Sequence, residues 1–139
     1  MTTIRELTPT SPAIQEYLDF LTDSHRKDST HVFKSLGWDG KKNADYYEEF
    51  IQSTKFVVVS GHKYFKVVEV TGRSTPQARM VHSFIVPKEL IQSTRFTITK
   101  WAAGTILKAK GWKRPALNFS RGNVLVPASY ATSITHLGV

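Results

Sequence analysis

The hydrophobic period of the chain changes once, at Lys55. Before it, Ile14, Tyr17, Leu18 and Leu21 recur at i, i+3, i+4 and i+7, which draws one apolar stripe along a helix. After it, Phe56-Val57-Val58-Val59 opens a series of short β-branched runs separated by turn residues. Helices first and strands afterwards specify an α+β fold. The expectation is two N-terminal helices followed by a mostly antiparallel sheet of about five or six strands. At 139 residues, 40% of them hydrophobic, the chain is read as a single domain spanning 1–139 with an ordinary core.

The first helix is predicted to start at Ser11, a good N-cap, with Pro12 at the first helical position, where its missing N–H costs nothing. Residues 22–42 read as polar and interrupted, with Gly37 and Gly40 as turn signals. His25 and His31 in that stretch match no common metal spacing and read as solvated loop histidines, so no metal is expected. A second helix is predicted from Asn43 to about Thr54, with Asp45, Glu48 and Glu49 early, where the helix dipole favours them. Strands are predicted over 56–59, 63–70, 79–86, 95–100, 105–109 and 121–126, the first two forming a hairpin around Ser60-Gly61-His62. Simple alternation turns Val81, Ser83 and Ile85 to one face and Met80, His82, Phe84 and Val86 to the other. Lys88 to Ser93 reads as a helical turn. The heptapeptides FIQSTKF (50–56) and LIQSTRF (90–96) are near copies, and each is expected to lead a short helix into a strand.

Charge divides the chain as sharply as periodicity does. Residues 1–54 carry six Lys/Arg and nine Asp/Glu, a net of −3, and residues 55–139 carry thirteen and two, a net of +11. No acid follows Glu89. This asymmetry points to an anionic partner for the second half, nucleic acid or another polyanion. The alternative is that the basic half docks on the acidic half or on an acidic protein. The densest stretch is Gly104 to Val124, with five Lys/Arg, Trp112, Phe119 and no acid, and Lys100 just before it. Lys108, Lys110, Lys113, Arg114 and Arg121 are candidates for phosphate contacts. Trp112 and Phe119 are candidates for base stacking, with a cation–π contribution from Arg114. Asn118 and Asn123 are candidates for base edges or sugar hydroxyls. Lys63, Lys66 and Arg79, with Tyr64, extend the same set onto a neighbouring strand pair. A structural reading stands beside this one. Trp112, Pro115 and Ala116 are also the residue types with which a long loop pins itself to a core, and Arg121-Gly122-Asn123 is also a plain turn with Gly122 or Asn123 at positive φ.

The motifs Lys63 to Val70, then Arg79-Met80-Val81-His82-Ser83-Phe84-Ile85-Val86, then Gly104-x-Ile106-Leu107-Lys108-Ala109-x-x-Trp112-Lys113-x-Pro115-Ala116-x-Asn118-x-x-Arg121-Gly122-Asn123-Val124 carry a resemblance. In this order they resemble a family of small bacteriophage-encoded proteins, over about residues 60–125. The resemblance implies a phage origin and a shared fold, and it supplies no activity. It implies a location in the cytoplasm of an infected bacterial host or in the virion. The chain departs from the pattern at Thr105, where the family shows Asp, and at Lys110-Gly111, where it shows Ala-Ser. It also carries an insert, Pro87 to Trp101.

No cysteine is present, which excludes disulfides and thiol catalysis. No run of 18 apolar residues suits a membrane span, and the first twelve residues lack the pattern of a secretory signal. Nucleophile-elbow, zincin and Walker motifs are absent, and no cofactor is implied. The expected function is therefore a small basic phage accessory protein that binds nucleic acid or another polyanion through a Lys/Arg/Trp surface, without catalysis. Two alternatives stay open: a virion or assembly protein forming a homo-oligomer, and an enzyme with an acid/base site around His82.

Overall fold

The computed structural model describes residues 6–35, 49, 51–61, 63–72, 76–93, 95–117, 120–136 and 138–139. Among the described residues, helix α1 spans Pro12–Ser35 and is followed by seven strands. These are β1 Lys55–Ser60, β2 Phe65–Thr71, β3 Gln77–Ile85, β4 Leu90–Ser93, β5 Ile98–Trp101, β6 Thr105–Lys108 and β7 Gly122–Asn123. A 3-10 turn, Pro127–Ser129, follows β7. The fold is α+β, as the change of period predicts. Most of the expected second helix lies outside the described residues, and its described end, 51–53, is helical with Ile51 buried.

α1 begins where its N-cap signal places it, with Ser11 O accepting from Ile14 N–H at 3.0 Å and Gln15 N–H at 3.1 Å. It then runs through residues read as an interrupted loop. The reason lies in what that stretch lacks: no Gly or Pro occurs from Ala13 to Leu36. Asp23 and Lys27 add an i, i+4 ion pair at 3.0 Å. The buried stripe also continues past Leu21, because His25, four residues on, is 6% exposed. The reading of His25 as a solvated loop histidine is thereby corrected. His31 lies on the same helix.

Five strands form one antiparallel sheet in the order β1-β2-β3-β6-β7, and β4 and β5 form a separate two-stranded sheet. One face of the larger sheet carries Phe56, Phe65, Val67, Ile85 and Ile106. It packs against Ile14, Tyr17, Leu18 and Leu21 of α1 and against Tyr130 and Ile134 of the C-terminal segment. The other face carries Phe84 and Leu107, which pack with Val86, Trp101 and Leu90 in a second, smaller core. The β4–β5 hairpin thus covers part of the sheet face opposite α1. Burying one large side chain of this kind contributes about 1.5–3 kcal/mol, so both layers matter to stability.

Two β-bulges interrupt β3. Val67 pairs with Ser83 and Val68 with Val81, which leaves His82 as an extra residue; Glu69 pairs with Met80 and Val70 with Ala78, which leaves Arg79 extra. A bulge re-aims the side chains around it. His82 and Ser83 consequently both contact Tyr17 of α1, and the expected alternation through β3 is broken at that point. The segment 88–93 is a further correction. Leu90–Ser93 is a strand paired with β5, Leu90 opposite Trp101 and Ser93 opposite Ile98, where a helical turn is predicted.

Candidate nucleic-acid interface

After β6 the chain turns back on itself. Ala116 N–H donates to Lys108 O at 2.7 Å, Lys110 N–H donates to Arg114 O at 2.9 Å, and Ala109 forms a bridge with Pro115. These contacts continue the hairpin beyond the sheet and place Gly111, Trp112 and Lys113 at its tip. Pro115 is buried and Ala116 half-buried, so the base of the loop is pinned to the fold as the structural reading requires. Trp112 departs from that reading. Its side chain is 51% exposed, whereas Trp101 fills the core at 5%. Lys108, Lys110, Lys113 and Arg114 are all exposed around it. The loop thus presents an indole and four cations on a backbone held by ladder-type hydrogen bonds.

The remaining candidate residues are dispersed. β6 runs antiparallel to β3, so the 110–114 loop extends toward the Gln77 end of β3. Lys63 lies in the turn before β2, beyond the Ile85 end, and is therefore at the opposite end of the sheet. Lys66 is half-buried in the cross-strand row Val59–Lys66–Phe84–Leu107, on the face away from α1. Arg79 is exposed at the end of β3 toward which the loop runs, with Glu69 and His25 near enough to feel its charge. Arg121 is half-buried at the sheet edge, its N–H donating to Ile106 O at 2.8 Å. Lys100 pairs with Glu89 at 3.4 Å. Asn118 and Phe119 lie outside the described residues.

Asn123 serves the fold. Its Nδ2 donates to Ala103 O at 3.0 Å, its Oδ1 accepts from Leu125 N–H at 2.8 Å, and its own N–H donates to Ser129 Oγ at 2.9 Å. Gly104 explains why this contact is possible. It has φ 89°, a region side chains rarely adopt, and a Cβ there would overlap Asn123 Oδ1. Gly122, at φ 143°, takes the positive-φ place in the Arg121-Gly122-Asn123 turn.

His82 sits in the interior, 3% exposed, between Tyr17 and Phe56 with ring centroids 6.4 and 5.5 Å away. Nε2 lies 2.6 Å from Thr135 O, which can only accept, so Nε2 carries the proton. Nδ1 then accepts from Ser83 Oγ at 2.9 Å, and Ser83 Oγ in turn accepts from the Tyr17 hydroxyl at 2.9 Å. The chain of bonds Tyr17–Ser83–His82–Thr135 ties α1, β3 and the C-terminal segment together. Burial lowers the His82 pKa, opposed by the Thr135 carbonyl, and burial pushes the Tyr17 hydroxyl well above its usual value. The open grooves along α1 are lined by other residues, and His82, Ser83 and Tyr17 are each closed off from solvent. Strand alternation gave no hint of this network, since the bulge that assembles it depends on the partner strand.

The described residues contain no group of three or more His, Asp or Glu placed to hold a metal ion. No helix among them is long and apolar enough to cross a membrane. No family model matches the chain, and no curated protein or solved structure matches it either.

Proposed function

We propose that the chain binds single-stranded nucleic acid, or a polyanion of similar chemistry, through the loop between β6 and β7. The observation that supports this reading is the exposure of Trp112 at the tip of a braced loop whose neighbours Lys110, Lys113 and Arg114 are also exposed. An indole left in water is unfavourable unless it meets a partner, and every nucleobase offers a stacking face. The flanking cations supply the sequence-independent attraction to phosphate, and Arg79 lies toward the same end of the sheet. Lys63 and Lys66 play no part in this reading, because they sit at the other end and on the other face. The phage-like motif order supports counting the chain among phage accessory proteins of an infected host or its virion.

The test is a titration of labelled oligothymidine and oligouridine followed by fluorescence anisotropy at several salt concentrations. Contacts from Lys108, Lys110, Lys113 and Arg114 imply a slope of log K on log salt of about −3. Lys113→Ala with Arg114→Ala should make the slope shallower by about 1.4, and Trp112→Ala should cost about 1–3 kcal/mol with the slope unchanged. Absence of binding at about 50 mM salt, or a slope indifferent to the double substitution, would refute the proposal.

A further inference from the structure

The β4–β5 hairpin leaves an apolar face in water. Leu90 and Trp101 turn toward the sheet and join its second core. Alternation puts Ile91, Ser93, Ile98 and Lys100 on the opposite face. Ile91 is 62% exposed, Ile98 76%, and Phe96, near the turn, 87%. The Arg95 guanidinium lies 5.7 Å from the Phe96 ring centroid. A two-stranded hairpin is marginal by itself, and clustered exposed apolar side chains mark a contact surface.

A surface of complementary character lies elsewhere on the same chain. Two shallow grooves that share Phe20 and Asp23 form an open trough along α1, the second bounded by the C-terminal segment, and its apolar lining is Phe20, Ala131 and the nearly buried Ile134. Its carboxylates are Glu16, Asp19, Asp23 and Asp28, set against Arg26 and Lys27. The acids prevail along the first half of the helix, since residues 12–25 hold three of them and no Lys or Arg. Asp23 is joined to Lys27 and Asp19 accepts from Gln15 Nε2, but both interactions are solvent-exposed.

We propose that two copies of the chain associate head to tail, with the Phe96 end of the β4–β5 hairpin of one copy seated in the α1 trough of the next. Phe96 and Ile98 meet Phe20, and Arg95 meets Glu16 and Asp19. Charge favours this arrangement over a symmetric pairing of two hairpins, because the acids along α1 can meet Arg95, whereas the hairpin's own acid, Glu89, is already paired with Lys100. A contact between two different patches does not close on itself, so it builds rings or open chains of subunits. The inference stands independently of nucleic-acid binding, whose loop belongs to neither surface.

Sedimentation and light scattering at low salt, over a range of protein concentrations, test it. The expected result is a mass that rises with concentration and falls when salt is added. Phe96→Ser destroys the hairpin end, and Glu16→Lys with Asp19→Lys destroys the trough. Each should weaken association on the order of 30-fold, as loss of a contact at an interface centre does. All three positions are exposed, and circular dichroism checks that both variants fold. Mixing the two variants provides the discriminating result. One keeps an intact trough and the other an intact hairpin, so together they should form a one-to-one dimer that grows no further. A wild-type protein that stays monomeric at about millimolar concentration overturns the proposal, as does a mixture that forms no dimer. Continued assembly of the trough variant alone also overturns it and identifies a symmetric hairpin contact instead.

Discussion

Three histidines, His25, His82 and His136, are buried on the α1 side of the sheet, and the burial of His25 and His82 makes stability depend on pH. His25 and His136 meet edge to face with ring centroids 5.2 Å apart, and His136 Nε2 lies 3.5 Å from Asp28 Oδ2. Ser29 Oγ is 3.3 Å from His25 Nε2, while His25 Nδ1 is enclosed with no hydrogen-bond partner among the described residues. Burial lowers the pKa of His25 and of His82 below the ordinary 6.5, and proximity to His136 lowers both further. The unfolded chain therefore takes up protons near pH 6.5 that the folded chain refuses. Stability is at its full value above 6.5 and falls as the pH drops from there toward the folded-state pKa values. Glu69 acts in the opposite sense: burial raises its carboxyl above 4.5, so the cost of its buried charge is relieved as the pH falls. Urea midpoints should be flat from about pH 8 to 7 and decline below about 6.5. His82→Gln should lower the midpoint at neutral pH and also flatten the acid decline. A decline of unchanged steepness in that variant would show that His82 does not carry it.

At the scale of elements, the near-identical heptapeptides separate local preference from context. In the first copy, residues 51–53 are helical, Ile51 is buried at 7% and Thr54 Oγ1 lies 2.9 Å from Thr71 Oγ1. In the second, Leu90–Ser93 is a strand and Ile91 is 62% exposed. Ile and Thr favour strands and Gln favours helices, so the local preference is mixed and packing decides. The second copy is drawn into a strand by Trp101, which faces Leu90 across the hairpin and is held by a 3.3 Å bond from its Nε1 to Gln92 Oε1. Leu90→Phe with Arg95→Lys would make the two heptapeptides identical in sequence. Helical content by far-ultraviolet circular dichroism should not rise, and amide chemical shifts over 90–93 should remain those of a strand. A helical shift pattern there would mean that the local sequence governs after all.

At the scale of the whole molecule, the C-terminal segment closes the fold. Tyr130 is 2% exposed and meets both Tyr17 and Phe20 edge to face at 5.1 Å, and Thr135 holds His82. Tyr130→Ala should cost about 3–5 kcal/mol, a large part of the stability of a domain this size. Because the residue joins α1 to the sheet, helix and sheet signals should be lost in one transition; separate transitions would show that the two layers fold independently. Much of this architecture is legible in the residues themselves. The apolar stripe of α1, the β1–β2 hairpin, the exposed cations around Trp112 and the glycine turns follow from periodicity, charge and φ preference, which are local properties. The length of α1, the β4–β5 hairpin, the paired inward turn of His82 and Ser83, and the exposure of Trp112 beside a buried Trp101 do not. Each depends on which distant surface a side chain meets: His136 for the second half of the helix, Trp101 for the strand at Leu90, Tyr17 for the bulge. A sequence specifies what each residue prefers in isolation, and only the assembled core decides which indole is buried and which is left to meet a partner.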